Sequence, residues 1–173
     1  MRKLFITKEN LPILVGNLKE ECDEFIAPKR EHLDDIVFGD TKDDGSELLD
    51  YNGNSVISPR AFLLPQTEAL FEIKSAKRNE LKFIEDKKKR IFYGIRPCDM
   101  KALVLMRGFL LDEFADMPYK EKLEHSTFIV LACNRLCSDD AFCCEMGAGR
   151  VAKEGFDLQL TAIGKGYIVD AGS

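Results

Sequence analysis

The chain has 173 residues, about one domain's length, with 45% apolar and 32% charged residues and a net charge of −5. That balance excludes wholesale disorder and leaves no overall basic footprint for nucleic acid. The longest apolar run, Phe128 to Cys133, is six residues, far short of the roughly 20 a membrane span needs.

The opening MRKLFITKEN is charged at once and has no apolar leader core, so the expected setting is the cytoplasm. In that setting six cysteines read as metal or redox groups rather than as three disulfides. Leu11, Leu14, Val15 and Leu18 share one helical face, with Asn10 as cap and Pro12 in the first turn. Cys22, alone on the polar side of this helix, reads as a small buried residue. Glu24 to Ala27 reads as a strand ended by Pro28, and 40–54 as a polar loop. Pro59 and Pro65 punctuate the next stretch, and 66–74 fits either a helix start or a strand. The basic run Lys87 to Arg90 is expected to be a solvated lead-in to a strand.

The most legible part follows. Ile91 to Ile95 is a buried-type strand (91–95), and Asp99 is placed to cap a helix over 100–111 whose Leu103, Met106, Phe109 and Leu110 form a core stripe. Phe128 to Cys133 is a second apolar strand (128–133), completing a right-handed βαβ unit with parallel strands. Phe156–Ile163 and Tyr167–Val169 flank Gly164-Lys165-Gly166 as a C-terminal hairpin. The expected fold is one α/β domain over 1–173 with a mixed sheet.

In a βαβ unit both strands deliver their carboxyl ends to one edge of the sheet, where open α/β proteins bind ligands. Cys98 and Cys133, 35 residues apart, are therefore expected on one rim. Cys98 precedes the helix, and a helix N-terminus with Arg96 nearby would lower its thiol pKa. After Cys133 the spacing is C-x3-C-x5-C-C, through Cys137, Cys143 and Cys144, with Gly147 and Gly149 beyond. Four thiolates from a strand end and a Gly-rich loop suit an iron–sulfur cluster or structural zinc. One of the adjacent Cys143 and Cys144 is a bystander, and amides near Gly147 are expected to hydrogen-bond the bound centre. His32 and His125 lie at no zinc-protease spacing and read as surface groups, as do the acidic pairs. No P-loop or dinucleotide fingerprint is present. Three readings follow: an iron–sulfur electron-transfer domain, a zinc-stabilised or metal-free docking module, and a thiol-redox protein using Cys98.

Several motifs in order, Phe25-Ile26-Ala27-Pro28, Ser58-Pro59-Arg60, Leu64-Pro65, Arg96-Pro97-Cys98-Asp99 and Phe142-Cys143 with Met146-Gly147, resemble one family. It is the iron–sulfur electron-transfer subunit family of the sulfhydrogenase beta and anaerobic sulfite reductase type. The resemblance implies a 4Fe-4S cluster on Cys98, Cys133, Cys143 and then Cys137, with Arg96, Asp99 and Gly147 around it. It also implies a place in an anaerobic redox complex, linking a catalytic subunit to a flavin or pyridine-nucleotide subunit. The family pattern has a Cys two places before Cys143 where this chain has Ala141, so Cys137 or Cys144 would supply the fourth thiolate. Longer members continue into a ferredoxin-like half with two more clusters. This chain stops near where that half would begin, as either a fragment or a short relative.

Overall fold

The computed structural model describes residues 3–73 and 81–172. Among them, nine strands and three α-helices follow in the order β1 (Lys3–Thr7), α1 (Leu11–Glu20), β2 (Glu24–Arg30), β3 (Ile36–Asp40), β4 (Phe71–Ile73), β5 (Leu81–Phe83), β6 (Arg90–Ile95), α2 (Pro97–Leu110), α3 (Met117–Glu124), β7 (Ser126–Leu131), β8 (Leu158–Ile163) and β9 (Gly166–Ala171). Seven strands form a mixed sheet, β1-β9-β8-β7-β6-β2-β3, while β4 and β5 pair separately. Strands β2, β6, β7 and β8 run parallel, and β3, β9 and the β1–β9 pairing are antiparallel.

Helices cover both faces. Leu11 and Val15 of α1 pack with Phe25, Tyr93, Ile129 and Leu160 on one face, while Met100 and Leu103 of α2 and Tyr119 of α3 pack with Ile26, Phe92, Phe128 and Val130 on the other. The two faces follow from handedness. The chain crosses the sheet one way from β1 to β2 and the opposite way from β6 to β7, so right-handed crossovers put their helices on opposite sides.

The expected βαβ unit and C-terminal hairpin are present, with shifted ends. The first strand takes in Arg90, the helix runs Pro97–Leu110 rather than 100–111, and the second strand is Ser126–Leu131, leaving Cys133 beyond it. Asp99 is not the cap: Arg96 holds that position in extended backbone, and Pro97 starts the helix because its missing N–H is an orphan there anyway. Asn10 holds the cap position of α1 without a side-chain hydrogen bond. Phe109 is 84% exposed and outside the core, because the neighbours of α2 reach only its Met100–Leu103 side.

Pro28 does not end its strand. Its carbonyl accepts from the Leu48 amide 2.7 Å away, on the side facing away from β3. The missing N–H points the same way, where β2 no longer pairs with β6, so no ladder bond is lost. Arg90 is buried rather than solvated, because Glu24 (2.7 Å) and Asp86 (2.8 Å) bind its guanidinium. His125 is half-buried, its Nδ1 lying 2.8 Å from the Glu121 carbonyl oxygen. The undecided 66–74 stretch contains strand Phe71–Ile73, with Lys74 outside the described residues. Edge strands β1 and β3 and helix α3 go beyond the sequence reading. The side-chain cap of α3 is Asp116, which accepts from the Tyr119 amide at 2.9 Å.

Candidate metal and redox site

The carboxyl edge of the parallel strands is shaped by a bulge. In β6 the register with β7 skips Gly94, so Tyr93 pairs with Ile129 and Ile95 with Val130. Gly94 has φ +77°, a backbone region that strongly favours glycine. The extra residue turns Ile95 onto the α2 face. Arg96 then points to the α1 side, where its Nη1 donates to the Leu131 carbonyl (3.3 Å). A second Nη donates to the Tyr51 carbonyl, and the Tyr51 ring lies 3.9 Å from the guanidinium.

Tyr51 belongs to a strap over residues 48–58, which sequence analysis read mostly as a polar loop. The strap crosses the rim and is fastened at each crossing. The Tyr93 hydroxyl donates to the Leu49 carbonyl (2.7 Å), and the Tyr51 hydroxyl to the Gly94 carbonyl (2.8 Å). Farther along, the Cys98 thiol lies 3.9 Å from Asn54 Oδ1, and Ser58 donates to Asp99 (3.0 Å). The one sequence signal for these contacts was an aromatic residue inside a polar Asp-Tyr-Asn-Gly-Asn run.

Cys98 sits in the first turn of α2 and Cys133 two residues past β7. The Cys133 amide donates to the Arg150 carbonyl (2.9 Å), closing the loop that carries Cys137, Cys143 and Cys144. Inside that loop the Ala148 and Gly149 amides converge on the Cys143 carbonyl (2.9 and 3.2 Å). The Gly147 amide donates to the Cys144 carbonyl (3.0 Å). In this arrangement the Gly147 amide helps to fold the loop.

The thiols of Cys133 and Cys143 lie within electrostatic reach of Cys98, and those of Cys143 and Cys137 within reach of Cys133. Cys133 and Cys143 both oppose ionisation of Cys98, and Cys143 and Cys137 that of Cys133. Cys144 is exposed, and Cys22 is buried far along the chain beside α1. Among the described residues no three His, Cys, Asp or Glu side chains stand together as a ready-made metal site.

Burial pushes the Cys98 thiol up to about 11, with the Asp99 carboxylate adding to the rise. Burial also raises Cys133, against the lowering influence of Arg96. The expected helix-terminus lowering is overridden, because removing a thiolate from water costs more than the end of one helix returns. Asp99 is likewise raised by burial, partly offset by its bond from Ser58 and by Arg60 and Arg96.

No family model matches the chain, and no solved structure matches it. One curated protein is 26% identical over 174 aligned positions: the sulfhydrogenase 2 subunit beta of Pyrococcus furiosus. The alignment covers all of this chain and 49% of that protein, so the chain spans about half the length of the curated relative it matches. No helix among the described residues is long and apolar enough to cross a membrane.

Proposed function

We propose that the chain is an electron-transfer domain of a redox complex, holding a 4Fe-4S cluster through Cys98, Cys133, Cys143 and Cys137. What supports this reading is that a helix turn, a strand end and the loop after it carry the four free thiols along one edge of the sheet, with Cys133 and Cys143 in electrostatic reach of Cys98. The donor set fits: four soft sulfurs are what an iron–sulfur centre takes. The name of the relative, a hydrogenase beta subunit, points the same way.

Such a cluster, when bound, would take up and release single electrons. The chain's own residues hold and insulate it. The hairpin-like base formed by Cys133 and Arg150 anchors the loop, which must draw inward for its thiols to reach a common centre. Arg96 supplies a buried positive charge beside Cys133, offsetting the negative charge of gathered thiolates. Thiols raised by burial must give up their protons on loading, so uptake strengthens as pH rises. The partners are the other subunits of the complex, the catalytic one together with one that binds flavin or pyridine nucleotide.

The test is anaerobic purification followed by iron, sulfide and zinc assays. About four iron and four sulfide per chain, with a brown colour lost on oxidation, is the expected result. About one zinc without sulfide would select a zinc-stabilised docking module instead. A colourless, metal-free protein after reconstitution overturns both readings.

A further inference from the structure

A second feature of the rim lies beside Cys133. Arg96 is only 5% exposed and forms no ion pair among the described residues. A guanidinium carries five N–H donors. Here the partners are two carbonyls, from Leu131 and Tyr51, and the buried Nε has none. A buried cation with unspent donors and no carboxylate in direct ion-pair contact is costly unless an anion completes it.

Arg96 lines a cleft of ≈ 570 Å³ on the β7–β8 side of the rim, with Asp50, Asn52, Cys133, Asn134 and Arg135. Arg135 is exposed on the same wall. Asn134 is set in place by donating to the Ala162 carbonyl (2.7 Å). Asp50 is the acidic residue in this lining, and it accepts a hydrogen bond from the Tyr167 hydroxyl (3.1 Å). A second hollow of ≈ 790 Å³ shares Asn52, Asn134 and Arg135 and carries Asp139, Asp140 and Arg150. The cleft is thus cationic at its inner end and mixed farther out, and large enough for a small organic ligand.

We propose that this cleft binds a phosphate-type oxyanion between Arg96 and Arg135. Guanidinium forks match tetrahedral oxyanions, and the carboxamide of Asn52 adds a neutral donor at the wall. The oxyanion has two possible sources, inorganic phosphate or the 5′-phosphoryl group of a nucleotide. The proposal stands on the guanidinium and the cleft, and does not depend on the cysteines holding a cluster.

The test uses the full chain, 15N-labelled, at pH 7.5 and constant ionic strength. Arginine Nε resonances are followed during titration with inorganic phosphate, with adenosine 5′-monophosphate and with chloride; Arg96→Lys assigns the Arg96 signal. The expected result is a saturable shift with a phosphate-bearing probe and none with chloride. Arg135→Gln, an exposed substitution that keeps the fold, weakens that binding roughly tenfold or more, as loss of one charge-assisted contact should. Tighter binding of the nucleotide identifies a phosphoryl source, and equal binding a free phosphate. No shift with either phosphate-bearing probe in excess, the same shift with chloride, or an unchanged affinity in Arg135→Gln overturns the proposal.

Discussion

Gly94→Ala tests how the rim is built. Gly94 is the bulge residue of β6, at φ +77°, and an added Cβ would lie 3.1 Å from both Cδ and Cγ of Pro28 and 3.6 Å from the Tyr51 ring. Two costs combine. The left-handed backbone costs a non-glycine residue about 1–2 kcal/mol. Crowding against a rigid pyrrolidine inside a strand adds roughly 1–3 kcal/mol. A working total of about 3 kcal/mol lowers Tm by roughly 6–12 °C for a chain of this size. Gly45→Ala isolates the first cost, since Gly45 has φ +63° with nothing within 4 Å of the added Cβ. That control should lose roughly 2–8 °C. The assay is thermal unfolding by circular dichroism, with both variants and the parent kept reduced. A Gly94→Ala protein within about 2 °C of the parent, or no worse than Gly45→Ala, would refute the account of the bulge.

Two further predictions concern charge and sulfur. Burial raises Glu24 and Asp86, but hydrogen bonds from Lys88 and Arg90 to Glu24 and from Arg90 to Asp86 outweigh it, so both carboxyls sit below their ordinary values of 4.5 and 3.8. Their stabilisation is therefore complete above those ordinary values and is lost as pH falls through the depressed ones. Glu24→Gln should cost about 1 kcal/mol at pH 7, discounted for its partial exposure. Its gap to the parent should narrow as pH falls below the ordinary value of 4.5, and a gap in urea midpoint that stays constant as the pH is lowered contradicts the assignment. Among the cysteines, Cys137→Ser should lose most of the bound iron after reconstitution while Cys144→Ser keeps it. Equal iron content in the two variants would remove Cys137 from the ligand set.

Much of the architecture was legible in local pattern. The apolar runs at 91–95 and 128–133, the α2 periodicity and the Gly-Lys-Gly turn define a βαβ unit and a hairpin because their signals are short-range. Where local signals were thin, the reading fell short. Strand β1 has mostly exposed side chains and is held by pairing with β9, and α3 is helped by Asp116 and by burial of Tyr119 more than by any apolar stripe. Phe109 sits at core spacing yet faces outward, because periodicity reports a face and not whether anything covers it.

The order of residues was enough, by itself, to bring Cys98 and Cys133 to one edge, since parallel strands joined by a right-handed crossover must end together. The acidities at that edge depend on the tertiary structure. Burial raises Cys98 and Asp99 against the pull of the helix, and a strap from residues 48–58 lays Tyr51 across Arg96. Desolvation and long-range contacts of this kind depend on the whole packed chain, and no local run of residues encodes them.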